Sequence, residues 1–222
     1  MIKYDFAAYP SVISPDLCNQ IVAVGERAMD ASDDIQATTF AGKPSVANTA
    51  PAIDIDAIPA EERANYHVRN THVSWLEDKW IYELIVPYMK AGNELLEMNF
   101  AFNEFEPMQF TRYRDSQFYG WHMDGAAKNG EGKVFVDQAG NRIERKFTCV
   151  LMLNDPSEYE GGDLILDLGG RGSEETRLSE PSTYNMKGTV IVFPSYMWHM
   201  VNAVTSGTRY TIVLWAVGPP FR

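Results

Sequence analysis

The spacing of apolar positions changes character near Met108. Upstream of it, two stretches carry apolar residues at helical intervals. Downstream, short apolar runs alternate with turn residues. Ser14-Pro15-Asp16 reads as a helix start, with a capping hydroxyl, proline at the first helical position and an acid in the first turn. Leu17, Ile21, Val24 and Met29 follow at helical spacing and predict a helix to about Asp30. Residues 31–64 are rich in Ala, Thr, Ser, Asp and Pro with no sustained period, as expected of a long ordered loop or lid. Residues 68–75 predict a strand, and 79–97 a helix bent or divided at Pro87, which has no N–H to continue the ladder.

From Met108 onward nine short segments read as strands: 108–114, 120–124, 132–137, 141–146, 147–154, 163–167, 188–193, 198–204 and 208–217. Residues 137–141, Asp-Gln-Ala-Gly-Asn, look like a hairpin loop between two of them. Strands without intervening helical periods predict an all-β core, as a sandwich, barrel or jelly roll. The upstream helices are expected to brace one face of it, giving a mainly β fold with supporting α-helices. The organisation predicted is a single domain over 1–222, with helical support and a lid in 1–105 and the β core in 106–222. No repeat or low-complexity tract is present.

Composition narrows the function. Hydrophobic residues make up 45% of the 222 positions, which suits a packed core rather than disorder. A formal charge of −11 speaks against a surface that tracks phosphates, so no nucleic-acid partner is expected. The basic run 142–146 contains Glu144 and reads as a solvated hairpin arm. Cys18 and Cys149 stand far apart in apolar settings and are expected to be buried thiols, as in a reducing compartment. The first residues lack the basic-then-apolar form of a signal peptide, and no apolar run is long enough to cross a membrane. A soluble, cytoplasmic protein is the expectation, with its oligomeric state left open.

Within Tyr119-Gly-Trp-His-Met-Asp-Gly125, His122 and Asp124 stand two residues apart. In an acidic chain with 4 histidines such a pair arises by chance about one time in four, so it is weak alone. On a strand, positions i and i+2 share a face, which would project the imidazole and carboxylate together. A third ligand is needed, and His199 lies in a late segment of the same β core. His67 and His72 lie upstream in a polar segment and read as surface or structural. Two histidines and one carboxylate form the facial triad of non-haem Fe(II) oxygenases; ligand type alone leaves zinc open.

Residues 204–208 look like a tight turn, so the segments around His199 and Arg209 are expected to pair as adjacent antiparallel strands. With a three-residue loop, Arg209 would pair with Ala203, roughly 13 Å along the strand from His199. A long arginine reaching back could hold the far carboxylate of a five-carbon dicarboxylate chelating the metal, through two hydrogen bonds. Thr211 faces the same way and could add a hydroxyl. The apolar neighbours of Arg209 argue for a buried anion opposite it rather than a surface position.

These residues stand in a longer pattern. The run 112–124, RYRDSQFYGWHMD, follows R-Y-x-x-G-x-x-Y-x-x-H-x-D except for Ser116 at the glycine. Tyr159-Glu160-Gly161-Gly162-Asp163-Leu164 follows after a strand. Gly188 to Phe193, Ser195, His199, Val201, Gly207 and Arg209 complete a third block. The chain thereby resembles the 2-oxoglutarate/Fe(II)-dependent dioxygenases, and among them the prolyl 4-hydroxylase type that includes the PKHD-type hydroxylases. The resemblance implies a double-stranded β-helix (jelly roll, cupin-like) core, with His122, Asp124 and His199 as iron ligands and Arg209 on the distal carboxylate of 2-oxoglutarate. Tyr113 and Thr211 would assist with the cosubstrate, while Tyr119 and Trp121 would line the pocket beside the metal. A tyrosine that some members place near the cosubstrate has Met152 at its nearest position here. The activity implied is hydroxylation of an unactivated C–H bond, coupled to oxidative decarboxylation of 2-oxoglutarate to succinate and CO2, with O2 consumed and ascorbate as reductant. A prolyl residue of a peptide or protein is the favoured substrate. A free amino acid or small metabolite, a non-catalytic jelly-roll binding module and a zinc hydrolase on a similar barrel are the alternatives. Halogenating relatives lack the carboxylate ligand, which Asp124 supplies here; nucleic-acid demethylating relatives carry a second arginine where this chain has Trp215.

Overall fold

The computed structural model describes residues 5–31, 69–125, 136, 140–168 and 184–221. In chain order the elements are β1 (Ala7–Tyr9), α1 (Pro15–Ala31), β2 (Arg69–Asn70), β3 (His72–Leu76), α2 (Lys79–Leu95), β4 (Glu104–Phe105), β5 (Met108–Tyr113) and β6 (Phe118–His122). Then come β7 (Glu144–Met152), β8 (Tyr159–Gly161), β9 (Leu164–Leu166), β10 (Val190–Pro194), β11 (His199–Val201), β12 (Val204–Gly207) and β13 (Arg209–Gly218).

The start signal for α1 works as expected: the Ser14 hydroxyl accepts from the Leu17 N–H at 3.4 Å, and the Ser14 carbonyl takes the Cys18 N–H. Both helices bury one stripe, Cys18, Ile21, Gly25 and Met29 on α1 and Ile81, Ile85, Met89 and Gly92 on α2. Of the bend or division expected at Pro87, division does not occur; α2 runs through it as one helix. Pro87 lies on the exposed side, so the Glu83 carbonyl that loses its partner can face water.

Seven strands form one antiparallel sheet in the order β1-β10-β7-β13-β5-β3, with β4 added beside β13. Four form a second, β2-β6-β11-β9, and β12 pairs with β8. Alternation along the large sheet separates two clusters. Phe147, Cys149, Leu151, Val190, Val192, Ile212 and Leu214 face α1 and α2. Tyr113, Val150, Met152, Ile191 and Phe193 point the other way, toward Leu164, Leu166 and Val201 of the second sheet. Each large side chain buried in this way contributes about 1.5–3 kcal/mol. A Cβ at Gly25 would collide with the Phe110 ring, so α1 lies directly on β5. The result is the mainly β, helix-braced layout expected: two facing antiparallel sheets, with helices on the outer side of the larger one.

Several local expectations are corrected. Residues 68–75 are not one strand: β2 and β3 belong to different sheets, and the chain crosses between them at Thr71. The segments 141–146 and 147–154 merge into the single strand β7. Because β7 runs back to Glu144, the basic run is not a solvated arm. Lys146 is buried against the Phe221 ring, and Arg145 pairs with Glu106. The hairpin joining His199 to Arg209 is absent as well. After β11 the chain leaves the second sheet, β12 pairs with β8, and β13 enters the large sheet with Arg209 opposite Tyr113 instead of Ala203. Facing sheets require such a crossing, and Gly207 makes it at φ +76°, where a Cβ would strike the Glu158 carbonyl.

The predicted lid lies outside the described residues except Ala31, as do His67 and residues 132–135 and 137–139. Val136 bridges Arg142 antiparallel, as a hairpin there requires. Both cysteines are free and buried. Among the described residues no helix is long and apolar enough to cross a membrane.

Candidate functional site

His122 ends β6, His199 begins β11, and the two are register partners across the second sheet. Each imidazole is oriented from behind by a carbonyl: His122 Nδ1 lies 2.7 Å from the Gly120 oxygen and His199 Nδ1 3.0 Å from the Met197 oxygen. A carbonyl only accepts, so both Nδ1 atoms carry the proton and both Nε2 lone pairs face inward. Asp124 completes the cluster, with Oδ1 3.6 Å from His122 Nε2 and Oδ2 3.4 Å from His199 Nε2. Asp124 lies beyond the end of β6, so its place owes nothing to strand alternation. The loop is held by Gly125 N–H donating to the Ser195 carbonyl at 2.7 Å and by the Thr148 hydroxyl donating to Asp124 Oδ2 at 2.8 Å. The three ligand atoms lie within 4.8 Å of one another. Two imidazoles and a carboxylate are a donor set that suits a divalent transition metal.

Electrostatics prepare the ligands. Burial, helped by the neighbouring His199, pushes the His122 imidazole down to about 3, so it is neutral across ordinary pH. Burial alone would raise Asp124. His199, His122 and Arg145 around it prevail and hold its carboxyl well below the usual range.

A β-bulge sets the pocket wall. His199 opposes His122, but Val201 opposes Tyr119, so β6 spends one extra residue over that interval. The phase of β6 is thereby switched. Tyr119 stacks on His122 at 3.4 Å between ring centroids, 7° from parallel, and lines the pocket. Trp121, expected beside it, is absent from the lining: it neighbours His122 and so points to the opposite face, while the bulge brings Tyr119 into phase with His122. Burial pushes the Tyr119 phenol up to about 12 and raises Tyr113 too, so both remain hydroxyl donors at neutral pH.

Along β13, Arg209, Thr211, Val213 and Trp215 share the inner face and line the same cavity as the three ligands. Arg209 is 2% exposed. Among the described residues its polar contact is Met152 Sδ, 3.5 Å from Nη2, and its buried Nε has no partner. A buried guanidinium without an anion is costly, and a ligand carboxylate would relieve it. Met152 thus occupies the tyrosine position against the arginine itself. The Gly161-Gly162 pair has a steric reason: a Cβ on Gly162 would lie 2.8 Å from Arg209 Cδ and 2.9 Å from Val204 Cγ2, at φ +66°. The serine at the motif's glycine also becomes legible. Ser116 adopts φ +64°, the left-handed conformation a glycine would take without strain, and its N–H bonds the Val204 carbonyl at 2.8 Å.

His72, in β3, meets Gln117 Nε2 through Nδ1 at 2.9 Å and stays out of the cluster. Sequence reasoning missed Arg69, Gln109, Thr148 and, as a lining residue, Trp215. Arg69 is buried on β2, donates to Gln109 Oε1 at 2.7 Å and Thr71 Oγ1 at 3.0 Å, and stacks 4.4 Å from the Tyr119 centroid. Counting by twos from Arg209 would have reached Trp215. Nothing local marked Arg69, whose strand is two residues long.

Comparison with known proteins places this geometry. Residues 108–217 match the 2OG-Fe(II) oxygenase superfamily. A PKHD-type hydroxylase of Xylella fastidiosa is 36% identical over 109 residues, covering 49% of this chain and 43% of that protein, so the match spans under half the relative's length. Among solved structures, a viral collagen prolyl hydroxylase from Paramecium bursaria Chlorella virus-1 in complex with 2OG shares the fold, with a TM-score of 0.57 at 18% identity over 97% of each chain. A Trichoplax adhaerens prolyl hydroxylase, solved with a hypoxia inducible factor peptide fragment, shares it at TM-score 0.54 and 14% identity, over 96% of this chain and 83% of that one. Through residues 108–217, this chain belongs to the 2OG-Fe(II) oxygenase superfamily and carries the fold of the prolyl hydroxylases.

Proposed function

We propose that the protein is an Fe(II)- and 2-oxoglutarate-dependent hydroxylase acting on a prolyl residue of a peptide or protein. The observation that carries this reading is the buried guanidinium of Arg209, without an anionic partner among the described residues, on the wall of the cavity that holds His122, Asp124 and His199. In this assignment the two imidazole Nε2 atoms and the Asp124 carboxylate hold the iron. Arg209 holds the distal carboxylate of 2-oxoglutarate, with Tyr113 and Thr211 as hydroxyl donors beside it. Bound iron and 2-oxoglutarate supply the oxidising power with O2, releasing succinate and CO2.

The chain's own work is binding, orientation and exclusion of water. The Gly120 and Met197 carbonyls fix both imidazoles in the ligating tautomer, and burial keeps His122 free of a competing proton. Val150, Leu164, Val201 and Val213 make the cavity wall largely apolar. Tyr119 and Trp215 add flat faces that suit a pyrrolidine ring, and Arg69 offers donors to a substrate carbonyl. The peptide fragment bound by the Trichoplax neighbour supports a polypeptide substrate. The net charge of −11 argues against nucleic acid. Ascorbate as reductant, a single domain over 1–222 and a cytoplasmic location complete the proposal.

Anaerobic addition of Fe(II) and 2-oxoglutarate is expected to give a visible absorption band, absent in His199→Ala. Aerobically, succinate release should be lost in Asp124→Ala, while Arg209→Ala should chiefly raise the 2-oxoglutarate requirement. Full activity in His199→Ala, or no band with wild-type protein, would overturn the assignment. A screen of prolyl peptides against free amino acids, read by succinate release, decides the substrate class.

A further inference from the structure

We infer that Thr148 and Ser195 are positioning residues for the metal-binding carboxylate, and that their buried hydroxyl pair keeps Asp124 in its ligating orientation. The inference rests on the iron reading above but concerns residues to which that reading gives no role. Asp124 stands outside β6, on a loop with no ladder hydrogen bonds to fix it, and a free carboxylate rotates about its terminal torsion. Three contacts from two strands remove that freedom. The Thr148 hydroxyl, on β7, donates to Asp124 Oδ2 at 2.8 Å. The Ser195 hydroxyl, just after β10, lies 3.1 Å from the Thr148 hydroxyl, and the Ser195 carbonyl accepts the Gly125 N–H at 2.7 Å. Ser195 is itself anchored, its N–H donating to the Lys146 carbonyl at 3.0 Å, two residues before Thr148 on the same strand.

The direction of the hydrogen bonds follows from chemistry. Asp124 is a carboxylate and only accepts, so the Thr148 proton is committed to it. The Thr148 oxygen is then left as an acceptor, and Ser195 donates to it. The chain Ser195 to Thr148 to Asp124 therefore has one polarity, and each donor strengthens the next. Thr148 and Ser195 are 1% and 0% exposed, so water cannot replace either hydroxyl cheaply. One carboxylate oxygen is thus occupied by the protein, while Oδ1 receives no hydrogen bond from a described residue. An asymmetric carboxylate of this kind is predisposed to bind a metal through one oxygen, leaving coordination positions for other ligands. A close fit backs the loop: a Cβ on Gly125 would lie 3.1 Å from the Ser195 carbonyl carbon and oxygen, so a side chain there would push Ser195 aside slightly.

The test is metal affinity of the metal-free protein, titrated anaerobically with Fe(II) and separately with Co(II), whose visible bands report ligand geometry. Thr148→Val keeps the shape and removes the donor; Thr148→Ser keeps the donor; Ser195→Ala removes the second hydroxyl. The expected result is 10- to 100-fold weaker metal binding in Thr148→Val, a smaller loss in Ser195→Ala, and near wild-type affinity with wild-type Co(II) bands in Thr148→Ser. Far-UV circular dichroism and a urea melt of each metal-free variant establish that it is folded at the titration temperature. Equal affinity and equal spectra in wild type and Thr148→Val would overturn the inference, as would a Thr148→Ser no better than Thr148→Val. If wild type and His199→Ala bind Fe(II) alike, the iron reading itself fails. If His199→Ala loses the metal while Thr148→Val keeps it, only the role of the hydroxyl pair falls.

Discussion

Replacing Gly162 with alanine should damage 2-oxoglutarate binding without altering the chemistry of any group assigned to hold the ligand. Gly162 sits at φ +66°, and the added Cβ would lie 2.8 Å from Arg209 Cδ and 2.9 Å from Val204 Cγ2. The left-handed conformation costs an L-residue about 1–2 kcal/mol. Overpacking against a buried neighbour adds about 1–3 kcal/mol. The relief available is for Arg209 to move, because Val204 is fully buried and bonded through its own N–H to the Gln117 carbonyl at 3.0 Å. Cδ lies one bond from Nε, so its displacement tilts the whole guanidinium. A bidentate clamp reduced to one hydrogen bond forfeits a charge-assisted contact of about 1.5–3 kcal/mol. That is about a 10- to 100-fold rise in the dissociation constant for 2-oxoglutarate. Calorimetric titration of 2-oxoglutarate into Co(II)-loaded protein measures it, beside a metal titration expected to match wild type. An unchanged 2-oxoglutarate affinity in a folded Gly162→Ala protein would refute either the rigidity of this packing or the clamping role of Arg209; Arg209→Ala in the same assay separates the two.

Ser116→Gly should stabilise the protein, since it relieves a left-handed serine while adding some backbone entropy to the unfolded chain. The net gain expected is about 0.5–1 kcal/mol by urea denaturation, and a loss would show that the serine side chain contributes more than its strain costs. The metal-free protein should lose stability as pH falls. His122, held at about 3 in the fold against 6.5 when free, takes up its proton only in the unfolded chain over that interval. The loss therefore begins near pH 6.5 and grows by about 1.4 kcal/mol per pH unit toward 3. The depressed Asp124 acts in the same sense only below its ordinary carboxyl range. Urea midpoints at pH 7 and 5 should differ less in His122→Gln than in wild type; equal differences would place His122 in water rather than in a buried cluster.

The residues that dominate the site were readable because their chemistry is scarce. Four histidines, one His-x-Asp pair and an arginine in an apolar strand leave few arrangements, and the motif spacing selected among them. Strand existence was similarly legible from alternation, since β5, β7, β10 and β13 bury one face against helices and the other against a second sheet. Register was not. Arg209 pairs with Tyr113, a residue nearly a hundred positions earlier, and no local period encodes a partner so distant. The bulge in β6 was equally hidden, although it decides that Tyr119 faces the metal cluster. Arg69 escaped for a third reason: a two-residue strand carries no period, and its importance appears only once Gln109 and Tyr119 are folded around it.

The pairing of His122 with His199 has a kinetic consequence. The ligands come from strands far apart in sequence, and Asp124 is held by residues from β7 and the end of β10. No short segment of the chain can assemble the site, so it forms only after the slow, non-local closure of both sheets. A nascent or partly unfolded chain therefore presents at most the adjacent His122 and Asp124, without His199 and with little hold on iron. On the proposed reading, iron is thereby held only by molecules that have finished folding, where a closed pocket already surrounds it.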